Sequence, residues 1–104
     1  MIKPEFFTFD HDGIETESYV IRVKDLAGNT LVGAQIGLSG VESDGIHRKV
    51  NVATHALRNG VPLNTDVKFT VTASNSAGAA SAEIPSPVFQ FKDVLNDPFN
   101  LAVL

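Results

Sequence analysis

The segment VKFTVTAS at 67–74 alternates without a break: Val67, Phe69, Val71 and Ala73 point one way, Lys68, Thr70, Thr72 and Ser74 the other. Side chains of an extended strand alternate between its faces, so this segment requires a β layer with one dry face and one wet face. Residues 19–24 repeat the pattern, with Tyr19, Ile21 and Val23 on one face and Arg22 and Lys24 opposite. No stretch holds apolar residues at three- and four-residue spacing long enough for an amphipathic helix. Short alternating strands between frequent turns predict an all-β fold, a two-sheet antiparallel β-sandwich.

The punctuation fits that class. Gly28 and Asn29 suit a hairpin turn after the strand at 19–24, with a return strand over 31–38. Residues 40–45 read as a polar loop. Residues 46–52 alternate again, placing Ile46, Arg48, Val50 and Val52 on one side. The connection after them is rich in turn formers, with a single helical turn expected over 54–58 and closed by Gly60. Gly78 marks a hairpin tip. Strand character resumes near Ala82, and Pro85 and Pro87, which lack an amide donor, mark an edge or a bulge there.

The 104 residues make one domain, and the absence of Cys excludes disulfides, thiolate metal sites and a Cys nucleophile. The net charge is −4 and the eight basic residues are scattered, so neither a nucleic acid nor an anionic membrane is expected as a partner. The N-terminal stretch MIKPEFFTFD is too broken by polar residues for a signal peptide, and no segment approaches the roughly 20 apolar residues of a membrane span.

Chemistry-bearing residues are sparse. Asp10, His11, Asp12 and Gly13, with Glu15 and Glu17 close by, could suggest a metal, but their spacing does not match a calcium loop, and a solvated turn is expected. His47 and His55 are too far apart along an extended chain to share a metal. No nucleophile motif, phosphate loop or paired carboxylates stand out. The chain is not expected to be an enzyme or to need a cofactor or metal.

Residues 67–78, VKFTVTASNSAG, resemble the sixth strand of a fibronectin type III domain and the hairpin after it, with Ala73, Asn75 and Gly78 on the family's Ala-x-Asn-x-x-Gly pattern. SYVIRV resembles the third strand, and FFTFDHDG the second, with Phe9 where the family usually carries a core Trp. The resemblance covers roughly 6–91 and departs in three places. Val67 replaces a Tyr whose hydroxyl normally ties down the neighbouring connection. The loop at 57–66 is long. Few residues precede the second strand, so the first strand is short or missing.

A missing first strand leaves a sheet edge open. Beyond the sandwich expected over 1–91, residues 92–104 form an apolar tail in which Phe99, Leu101 and Val103 alternate. This tail is expected to pack on its own domain's edge or on a neighbouring subunit. Phe99, Leu101, Val103 and Leu104 are thus the candidate assembly contacts, and Asn75, Ser76 and Gly78 the candidate loop contacts. The resemblance implies a structural protein of a tailed-bacteriophage virion, a capsid decoration or a tail or neck accessory, assembled in the bacterial cytoplasm. Its partners would be capsid or tail subunits and copies of itself. The alternative is a binding module from a secreted bacterial glycan-active enzyme or adhesin, with a glycan contact that no residue pattern supports.

Overall fold

The computed structural model describes residues 2–104, so Met1 of the expected sandwich lies outside the described residues. In chain order the strands are β1 (Ile2–Lys3), β2 (Phe6–Asp10), β3 (Ser18–Asp25), β4 (Thr30–Gly37), β5 (Glu42–Asp44), β6 (His47–Asn51), β7 (Val67–Ser74), β8 (Ile84–Pro85) and β9 (Lys92–Asp93). One antiparallel sheet has the order β4-β3-β7-β8, the other β2-β6-β5, and they pack as a two-sheet sandwich. The first strand is short, two residues, and it pairs with β9 instead of with β2.

The alternation places the core. Tyr19, Ile21 and Val23 of β3 are fully buried, flanked by Ile36 of β4 and Val67 of β7. They face Phe7 and Val50 of the smaller sheet, and the Phe7 ring stacks on Phe69 with centroids 4.2 Å apart. Burying a side chain of this size contributes about 1.5–3 kcal/mol. The corner at Val67 is held by backbone: Val67 and Phe89 exchange N–H···O bonds, both 2.9 Å, and Asn64 N–H donates to Phe91 O at 2.9 Å.

Several expectations need correction. Residues 42–44 are not loop but β5, a polar edge strand paired with β6. In β6 the inward set is Arg48 and Val50, continued by buried Val52, while Ile46 sits in the preceding turn, 53% exposed. The segment 52–60 forms successive turns instead of a helical turn, because Ala56 adopts φ 57° and breaks the right-handed run. Its Leu57 is nevertheless fully buried and, with Val61, plugs one end of the sandwich. β8 is only two residues long.

The outer face of the larger sheet is drier than its Lys-Thr-Thr-Ser pattern suggests. Thr70 is 5% exposed and lies opposite Arg22 in register. Glu83 covers this region, accepting from Arg22 Nη1 at 3.1 Å and from Lys24 Nζ. The Lys24 hydrogen bond, with the Lys24 and Arg22 charges, holds the Glu83 carboxyl below the usual carboxylate range despite an opposing effect of burial. A lowered folded-state pKa gives stability that is present above the unfolded value near 4.5 and lost as pH falls through the folded value. The groups are partly exposed, so the contribution is at most about 1 kcal/mol. Glu83→Gln is expected to remove it at neutral pH and to flatten the acid side of a urea-midpoint titration. An unchanged acid limb would count against the interaction.

Candidate functional site

No strand lies between β2 and β8 among the described residues, and a cleft of about 500 Å³ opens there between the two sheets. Its effect on the core is local. Val67 and Ala73, at the two ends of the β7 inner face, are buried, whereas Phe69 and Val71 between them are only half-buried. Phe9 on β2 is half-buried too, packed edge-on against Tyr19. The cleft is lined mainly by apolar groups, among them Phe9, Phe69, Val71, Ile84 and Val88.

The two lips differ. Antiparallel ladders send the backbone groups of alternate residues to opposite neighbours. His11 N–H donates to Ile46 O at 2.8 Å and Val52 N–H to Glu5 O at 3.0 Å, so the odd residues of β2 bond to β6. Phe6, Thr8 and Asp10 therefore turn N–H and C=O toward the cleft side, where no strand meets them among the described residues. On the other lip, Ser86 N–H donates to Phe69 O at 2.8 Å. In that register Pro85 and Pro87 stand where an N–H would face the outer edge, and they remove it. One edge is open to pairing and the other is blocked.

The candidate tail residues lie off the body. Lys92 and Asp93 still pair with β1, Val94 is half-buried, and the exposed segment begins at Leu95. Phe99 is 81% exposed, Leu101 83%, and Val103 and Leu104 fully so. The molecule measures 70 × 33 × 19 Å, and its radius of gyration of 16.6 Å exceeds the roughly 13 Å of a compact chain this long. In this structure the tail does not cover the open edge of its own domain.

The candidate loop residues sit together at the β7–β8 hairpin tip, and their polar groups are engaged within the fold. Asn75 Oδ1 accepts from the N–H groups of Ala77 and Ala79, and its Nδ2 donates to Glu15 O. The N–H and hydroxyl of Ser76 both donate to the Glu17 carboxylate. Gly78 has φ 89° and open space around it. The pattern Ala-x-Asn-x-x-Gly thus builds the turn: Asn caps it and Gly supplies the left-handed residue.

The Asp10–Gly13 turn is likewise tied up internally. His11 Nδ1 accepts from Gly13 N–H at 3.1 Å and from the Tyr19 hydroxyl at 2.9 Å. His47 pairs with Asp10 at 2.8 Å, and His55 Nε2 donates to Gly40 O at 3.0 Å, so the two histidines serve different turns. Among the described residues no three His, Asp or Glu side chains converge as a metal site would require, and no helix is long and apolar enough to cross a membrane.

Comparison with protein-family models, with curated proteins and with solved structures found no match. The reading of the site therefore rests on its geometry. An apolar cleft with one receptive strand edge, and an exposed apolar tail, are equipped to make contacts with other chains. What the residue pattern left hidden is that the two sheet edges face each other. The prolines and the short first strand each signalled an edge, but only the fold brings the edges together.

Proposed function

We propose that this chain is a non-catalytic structural protein acting through protein–protein contacts, and that its setting is a tailed-bacteriophage virion, as a capsid decoration or a tail or neck accessory. The observation that carries the assembly reading is the tail: apolar side chains more than four-fifths exposed, on the same chain as an unfilled apolar cleft. Apolar surface of this kind marks interaction sites. On a symmetric particle many weak contacts of this sort add up. The virion setting rests on the resemblance of residues 67–78 to the fibronectin type III pattern. A glycan-binding module is the weaker reading, since the mostly apolar cleft offers few partners for sugar hydroxyls.

The test is to tag the chain at its native locus, purify virions by density gradient, and apply immunogold microscopy and peptide mass spectrometry. Regular label on particles is expected. Label confined to soluble protein, with none on virions, would remove the virion setting.

A further inference from the structure

We infer that residues 98–104 of one copy occupy the β2–β8 cleft of a second copy, extending the β2-β6-β5 sheet by one antiparallel strand. This names the partner within the assembly reading above and rests on it.

Length comes first. At about 3.4 Å per residue the seven tail residues span ~24 Å, enough to run beside β2 from Phe6 to His11, ~20 Å. Pattern comes second. Phe99, Leu101 and Val103 alternate, and residues 98–104 carry no charged side chain, matching an apolar cleft. Cross-strand partners share a face, so these odd residues must stand opposite Phe7, Phe9 and His11, which belong to the inward set of β2 and its continuation. The even residues then meet the unpaired backbone: Leu104 opposite Phe6, Ala102 opposite Thr8, Asn100 opposite Asp10. In this register Pro98 falls opposite Asp12, beyond the strand, where its missing N–H costs nothing.

Direction decides between copies. The tail leaves the body after β9, at the Phe6 end of the cleft, where Pro4 and Phe6 form part of the wall. To enter its own cleft it would have to reverse fully, and it would then run parallel to β2. A second copy's tail can come in at the His11 end and run antiparallel, the better-bonded arrangement. One change is needed in the tail itself: Asn100, at φ 55° when free, must become extended. The tail is extended away from its own cleft, so the contact runs head-to-tail and, unless two copies exchange tails reciprocally, assembly proceeds beyond dimers.

The test uses the full chain. Light scattering after size exclusion should give a mass that rises with concentration past two chains. Leu101→Asp, at an exposed tail position, should return it to the mass of one chain. Thr8→Pro should do the same, because the Thr8 N–H faces the open edge and its loss spares the pairing with β6. The chain has no Cys, so a mixture of Thr8→Cys and Ala102→Cys chains should form a disulfide between chains. A single-chain mass at every concentration would overturn the inference, as would oligomers that survive Leu101→Asp. So would a Thr8→Cys/Ala102→Cys double variant that closes within one chain while the mixture stays uncoupled. A chain that stays single yet bands with virions removes this inference and leaves the proposed function. A chain that self-assembles as described but never bands with virions does the reverse.

Discussion

Replacing Phe7 by Ala is expected to lower stability by about 3–5 kcal/mol, a large fraction of the roughly 5–15 kcal/mol typical of a domain of this size. Phe7 is the only Phe of β2 held fully inside, 2% exposed. Its ring stacks on Phe69 at 4.2 Å and meets Phe89 edge-on at 5.4 Å, with Phe91 tilted at 6.3 Å. It therefore joins the smaller sheet to β7 and to the chain after β8 in a single contact set. Truncation leaves a void beside a cleft that is already open, and the half-buried Phe69 would lose its covering. Ile14→Ala, at a position 73% exposed, is the control and should stay within about 0.5 kcal/mol. Urea unfolding of the two variants reads the difference directly. A Phe7→Ala loss below about 1 kcal/mol would mean that the ring is not at the centre of the packing.

Leu57→Ala is expected to cost about 2–5 kcal/mol although the residue belongs to no strand or helix. The segment 52–60 is a run of turns, yet Leu57 is fully buried and Val52 and Val61 beside it are nearly so. The segment is fastened by Leu57 N–H to Val52 O at 3.0 Å and by an Arg58 bond to Val61 O, and the Arg58 guanidinium lies 5.3 Å from the Phe91 ring centre. The turns thus act as a lid on the end of the sandwich that Leu57 and Val61 plug, and Leu57 is its peg. The measurement is the thermal midpoint, with a drop of about 4–8 °C for each kcal/mol lost. A midpoint within a degree of the parent would show that the lid can loosen without cost to the body.

These two positions also show what the residue pattern can convey. The alternation at Tyr19, Ile21 and Val23 placed them in the core because a two-residue period has one structural meaning when it is sustained. Leu57 stands alone among turn formers, with no period to reveal its burial. Residues 42–44 are all exposed, so β5 carries no apolar signature and is defined only by its pairing with β6. β1 and β9 are two residues each, too short for any pattern. Phe69 and Val71 are informative in the opposite sense. Their alternation is sound, but full burial requires a neighbour, and among the described residues no strand flanks β2 on the cleft side. The tail was legible as apolar and alternating. That it stands clear of its own domain depends on where β9 ends and is not written in the alternation.

The unequal lips of the cleft have a mechanical consequence. A strand seated along β2 and pulled by its own distant body is loaded parallel to its axis. The bonds at Phe6, Thr8 and Asp10 would then share the tension together instead of opening one after another. Such a joint resists stretching along the direction of assembly far better than it resists peeling from the side, and the proline-lined lip leaves that side free.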